Sequence, residues 1–123
     1  MNSIIPRIVS LQDPLDPESS SPAAERVVEG HSKHLIANYY VDPTQQFFAG
    51  RWSGTKGAWR VRYTETEFCH LLAGRVRLTS TDGVTQEFGV GDSFVVPAGF
   101  EGTWTVLEDC TKVYALFEVA APL

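Results

Sequence analysis

The sequence predicts an all-β sandwich or barrel, and three observations lead there. From Leu35 onward, short runs rich in Val, Ile, Tyr, Phe, Trp and Thr recur between Gly, Asp and Pro, the pattern of short strands joined by turns. Segments with helical period are nearly absent. Asp82-Gly83 separates two of the runs, and Asp-Gly favours the positive φ of a tight hairpin.

The elements follow in order. Residues 12–22 hold three of the seven prolines and no apolar period, which reads as a loop or arm. A short helix is expected over Ala23–Glu29. Residues 1–34 are too polar and too rich in proline to build much core alone. They form an N-terminal arm and loop, either exchanged across a partner subunit or held as a loose tail. Residues 35–123 form a single barrel domain. Its expected strands are Leu35–Tyr40, Phe47–Ser53, Trp59–Tyr63, Phe68–Leu72, Arg75–Ser80, Thr85–Phe88, Ser93–Val96, Thr103–Leu107 and Lys112–Val119, with Gly74 at a turn. No internal repeat is present.

Composition narrows the class. A chain of 123 residues is one domain, long enough to bury well over half of its unfolded surface without staples. Its 43% hydrophobic and 20% charged residues are ordinary for a globular protein. A net charge of −5 with no basic cluster argues against nucleic acid. No apolar run approaches the roughly 18 residues of a membrane span. The opening M-N-S-I-I-P-R-I-V-S lacks the long apolar core of an export signal. The two cysteines, Cys69 and Cys110, make no disulfide framework, so reduced thiols in a cytoplasm are expected. Cys69 reads as a small buried hydrophobe and Cys110 as a loop residue.

Gly91–Trp104 reads G-D-S-F-V-V-P-A-G-F-E-G-T-W. It resembles the second signature of the cupin superfamily, G-x5-P-x-G-x2-H, matched at Gly91, Pro97 and Gly99. Gly102 stands where that signature needs histidine. The first cupin signature, G-x5-H-x-H-x3–4-E-x6-G, is matched in its back half by Glu67-F-C-H-L-L-A-Gly74. Its two histidine positions fall on Arg60 and Arg62 or, in the shorter register, on Val61 and Tyr63. Of the usual ligand set, only Glu67 remains. Together with Gly102-Thr103-Trp104 and Lys112-Val113-Tyr114, these stretches resemble the small cupins related to the ureidoglycine aminohydrolase cupin domain, over about residues 47–117. The resemblance implies a double-stranded β-helix, or jelly roll. It carries over no metal-binding histidine.

The residues themselves agree that no metal or other cofactor is to be expected, because a divalent first-row metal needs several convergent His or carboxylate ligands. The three histidines are His31, His34 and His70. The first two precede the barrel and read as a solvated turn. His70 lies three residues past Glu67, so strand alternation sends it to the opposite face. Trp59-Arg60-Val61-Arg62-Tyr63 alternates apolar and polar. One phase turns Trp59, Val61 and Tyr63 inward; the other turns both arginines inward as a carboxylate clamp.

Glu67 is expected to face the barrel and therefore to need a partner, for which the resemblance points to Lys112. Cys69 shares its face and would need a nearby positive charge to be reactive. Trp52, Trp59 and Trp104 supply aromatic walls that suit a small organic ligand or simply fill a narrow barrel. The candidate binding residues are Trp52, Trp59, Tyr63, Glu67, Cys69, Trp104 and Lys112. The leading expectation is a metal-free cupin that binds a small polar molecule, nitrogen-bearing or carboxylated. The alternatives are a metal-dependent enzyme resembling ureidoglycine aminohydrolase or a related lyase or isomerase, and a structural or regulatory homodimer without ligand. Homodimerisation is expected in any case, because bare sheet edges invite pairing.

Overall fold

The computed structural model describes residues 5–119. In chain order they form β1 (Glu18–Ser20), a 3-10 turn (Ala24–Arg26), β2 (Val27–Gly30), β3 (His34–Val41), β4 (Phe47–Gly54), β5 (Gly57–Arg62), β6 (Thr66–Ser80), β7 (Thr85–Gly89), β8 (Ser93–Val96) and β9 (Glu101–Phe117). The nine strands make one sheet ordered β1-β3-β4-β9-β5-β2, with β6 against β9 and bearing β7 and β8 on its other side. The described strands pair antiparallel throughout.

The two long strands, β6 and β9, close the barrel. The first part of β9 runs between β5 and β6, and its second part between β4 and β6. The first part of β6 likewise pairs with β8 and its later part with β7. Each strand therefore serves two faces of the barrel, and each must bend between them.

The bend on β6 falls at its register shifts between Leu71 and Val76. Gly74 sits there at φ +83°, where a Cβ would lie 2.3 Å from the Asp109 carbonyl oxygen. Only glycine tolerates both that conformation and that approach. The bulge also changes the phase of the strand. Glu67, Cys69 and Leu71 are buried before it, and Val76 and Leu78 after it. The core consists of Trp59, Cys69, Leu71, Val76, Leu78, Val96, Trp104, Val106 and Cys110.

Several expectations change. The pairs Phe68–Leu72 with Arg75–Ser80, and Thr103–Leu107 with Lys112–Val119, are single strands that bend. Gly74 marks a bulge, because the partner strand continues past it. The second of these strands ends at Phe117, before Val119. The helix over Ala23–Glu29 shrinks to one 3-10 turn. Val27 and Val28 begin β2, which pairs with β5; β-branched residues suit that pairing better than a helix. Cys110 is a buried strand residue opposite Gly54, not a loop residue. Within the chain, β1 pairs with β3, and the Tyr39 hydroxyl donates to the Asp13 carbonyl at 2.6 Å. No α-helix occurs among the described residues, and none is long and apolar enough to cross a membrane.

Candidate functional site

Alternation along β5 decides one open question. Trp59 is buried and Val61 half-buried, whereas Arg60 and Arg62 are exposed. Arg60 donates to the Glu25 carbonyl at 2.7 Å, and Arg62 pairs with Glu101 at 3.2 Å. The inward arginine clamp is therefore overturned. Tyr63, just past the strand, donates its backbone N–H to the Phe100 carbonyl at 2.9 Å, and its ring lines the interior.

The interior polar centre is built by β6 and β9. Lys112 Nζ donates to Glu67 Oε2 at 3.0 Å, and both side chains are under a tenth exposed (6% and 9%). The Tyr63 hydroxyl donates to Glu67 Oε1 at 3.0 Å. Lys112 Nζ also lies 3.5 Å from Cys69 Sγ. The ammonium sits 4.3 Å from the ring centre of Trp104 and 5.0 Å from that of Trp52, within cation–π range.

The electrostatics follow from this enclosure. Burial acts to lower the pKa of Lys112, but the negative charge of Glu67 and the Cys69 sulfur more than offset it and hold the ammonium above its ordinary 10.5. Burial, then the Glu67 carboxylate, keep the Tyr63 hydroxyl protonated well above its usual range. Burial pushes the Cys69 thiol up to about 12, against the pull of Lys112. Cys69 is thus a protonated, fully buried thiol, not a reactive one.

The walls are aromatic. Trp52, Trp59 and Trp104 lie with ring centres 6.2 to 6.5 Å apart. His34 fills the gap between two of them, 4.7 Å from Trp52 and 4.6 Å from Trp59. It is buried, and its Nε2 meets Ser32 Oγ at 3.1 Å. This corrects the reading of His34 as a solvated turn residue. It is the first residue of β3 and shares a face with Ile36. Residues 35–40 read L-I-A-N-Y-Y and carry no alternation that would have pointed to it. Burial, then the Lys112 charge, lower its pKa below 6.5. His70 faces outward as expected, with Nδ1 2.7 Å from Ser93 Oγ.

These groups line a cavity of about 190 Å³. Six of the seven sequence-predicted site residues line it. The seventh, Cys69, lies beneath them against Lys112. A larger apolar hollow of about 530 Å³ shares Trp52 and Glu67 and is also lined by Ile36, Phe48 and Leu116.

Gly102, at the position where the signature needs histidine, faces backbone. A Cβ there would lie 2.0 Å from the Thr79 carbonyl oxygen. The residue is glycine because β6 and β9 approach at that point, and no side chain of any kind fits. The remaining donors do not suit a metal. Both Glu67 oxygens are engaged, one of them by an ammonium that would repel a cation. Among the described residues no group of three or more His, Cys, Asp or Glu is placed to hold an ion.

The family model for the EutQ-like cupin domain matches residues 41–114. The chain belongs to this cupin family. Solved structures support the cupin fold. A protein with unknown function of the DUF861 family from Pseudomonas syringae superposes with a TM-score of 0.77 at 23% identity, over 88% of this chain and 46% of that one. The EutQ protein of Clostridium difficile gives 0.63 at 11% identity, over 72% and 64%. A DUF861 family protein from Thermotoga maritima gives 0.54 at 26% identity, over 67% and 99%. This cupin therefore spans less than half of the Pseudomonas protein's length. No curated protein matches it.

Proposed function

We propose that this cupin binds a small organic molecule inside its barrel without a metal. The observation that supports it is the state of Glu67, the one usual ligand position still acidic. Tyr63 and Lys112 engage its two oxygens beneath an aromatic-walled cavity of about 190 Å³. Apolar walls with a few convergent polar groups are the usual make-up of a small-molecule site. The resemblance to the ureidoglycine aminohydrolase cupins favours a nitrogen-bearing ligand, but that enzyme's metal chemistry has no donor set here.

Thermal-shift screening of the full chain against small metabolites tests the reading. A ligand at a hundred times its Kd stabilises by about 2.7 kcal/mol, an easily read rise in Tm. A panel that moves nothing would sink the proposal. So would stoichiometric Mn, Fe, Ni or Zn in protein purified without added metal.

Self-association is proposed alongside, on a separate observation. Register places Val95, Phe68, Ala115 and Ala49 in one row across the outer sheet face, with Phe117 and Phe47 in the neighbouring row. Val95, Phe68, Phe117 and Phe47 are all exposed. A flat apolar row of this kind suits a second copy of the same face.

A further inference from the structure

We infer that the apolar hollow beside Glu67 takes an organic monocation, a hydrocarbon body carrying an ammonium, with Glu118 and Glu65 holding the charge. This rests on the proposed binding function and adds to it the seat and the charge of the ligand.

The first observation is the hollow itself. Strands β3, β4 and β9 supply Ile36, Phe48, Trp52 and Leu116 to its wall. Its volume of about 530 Å³ falls in the range of small-molecule sites, roughly 300–1,000 Å³. Gly50 lies between Phe48 and Trp52 on the same face of β4, and a Cβ there would sit 2.7 Å from the Tyr114 hydroxyl. The absent side chain lets that hydroxyl donate to Asn38 Oδ1 at 2.7 Å. Asn38 Nδ2 in turn donates to the Tyr40 carbonyl at 3.2 Å. These two polar groups of the wall are thus engaged within the protein, as Glu67 is by Tyr63 and Lys112. The other acidic group on the wall is Glu118.

The second observation is a like-charge pair at this edge. Register sets Thr66 of β6 opposite Phe117 of β9. One residue further out, Glu65 and Glu118 face each other, both half-buried and joined by a side-chain hydrogen bond. Burial, then the hydrogen bond and the charge of Glu118, raise the Glu65 pKa above its ordinary 4.5. Like charges directly opposite one another destabilise a sheet. The Thr64 hydroxyl lies 2.8 and 3.1 Å from the two Glu118 oxygens and has one proton to donate. Among the described residues neither carboxylate has an ion pair, and no Lys or Arg lines the hollow.

Charge complementarity then selects the occupant. An ammonium at this edge relieves the repulsion and donates charge-assisted hydrogen bonds to oxygens that have room to accept them. An anion adds a third negative charge, and a neutral molecule leaves the pair as it is. Lys112 does not oppose the cation from within the hollow: it is not on the wall, and Glu67 balances it at 3.0 Å. The hydrocarbon body covers Ile36, Phe48 and Leu116, where apolar surface is removed from water.

The test is calorimetric titration of the full chain near neutral pH with three probes of similar shape: 2-phenylethylammonium, 2-phenylethanol and 3-phenylpropionate. The ammonium should bind roughly tenfold more tightly than the alcohol, and the carboxylate most weakly. Glu65→Gln with Glu118→Gln should erase the tenfold preference and leave the affinity for the alcohol. Leu116→Trp, which fills the hollow, should weaken both; if that variant does not fold, Ile36→Phe replaces it. An alcohol that binds as tightly as the ammonium, or a carboxylate that binds more tightly, would overturn the cation and leave the binding function standing. A preference that survives the double glutamine variant would overturn the role of the acidic pair. Undiminished binding in the filled variant would overturn the hollow as the seat. If none of the three binds, the hollow is no ligand site, whereas a metabolite bound in the smaller cavity still upholds the proposed function.

Discussion

At the scale of single residues, the interior is governed by one buried charge pair. The sequence showed that Glu67 needs a partner, because a barrel-facing carboxylate is costly alone, and the family resemblance pointed to Lys112. Replacing Lys112 by Met strands the carboxylate and should cost about 3–5 kcal/mol. Removing both charges with Glu67→Gln in the same chain should recover a large share of that loss. Guanidinium unfolding of the two variants checks the pair. His34 supplies the second prediction. Its pKa lies below 6.5 in the fold, so folding favours the neutral ring. The stability gained by keeping it neutral is complete above the ordinary value near 6.5 and is lost as pH falls through the lower folded value. The urea midpoint should therefore drop on acidification below 6.5, and His34→Phe should flatten that drop. An unchanged pH profile in His34→Phe would contradict it. His34 was hidden in the sequence because its role depends on β3 starting one residue earlier than its apolar run. Cys110 was hidden for a related reason: the bend in β9 lets a strand continue through residues that read as a connection.

At the scale of elements, the two long bent strands decide where the site can be. Their sequences read as four short strands, since Gly74 reads as a turn and Cys110 as a loop residue. The bulge at Gly74 instead keeps β6 paired with β9 on both sides of the bend. That is why Glu67 of early β6 and Trp104 of early β9 can both face one cavity. Gly102 belongs to the same geometry. Its backbone lies so near Thr79 that any Cβ overlaps the carbonyl oxygen. Gly102→Ala should destabilise the barrel by roughly 1–3 kcal/mol, the usual range for overpacking, or more. Gly102→His should be worse still and should not acquire a metal. Thermal melts with and without added Zn²⁺ test both, and a histidine variant stabilised by metal would refute this account of the glycine.

At the scale of the whole molecule, the barrel presents an uncharged outer row of Val95, Phe68, Ala115 and Ala49. If that row joins two copies, Phe68→Asp should convert a dimer to a monomer in light scattering while leaving the far-ultraviolet spectrum intact. A natural chain that is already monomeric would remove the proposal. The all-β class was determined by the sequence itself, because alternating β-branched and aromatic runs bounded by Gly, Asp and Pro have no other way to bury their apolar faces. That one face of Trp59–Tyr63 turns inward was an equally local fact, set by a period of two residues; which face it is, the structure decided. Only the tertiary structure decided that His34 joins the tryptophans, that Gly102 marks a backbone contact, and that Glu65 stands opposite Glu118. Those three depend on which strands become neighbours, and that is fixed by bends and register shifts that leave little trace in the order of residues along the chain.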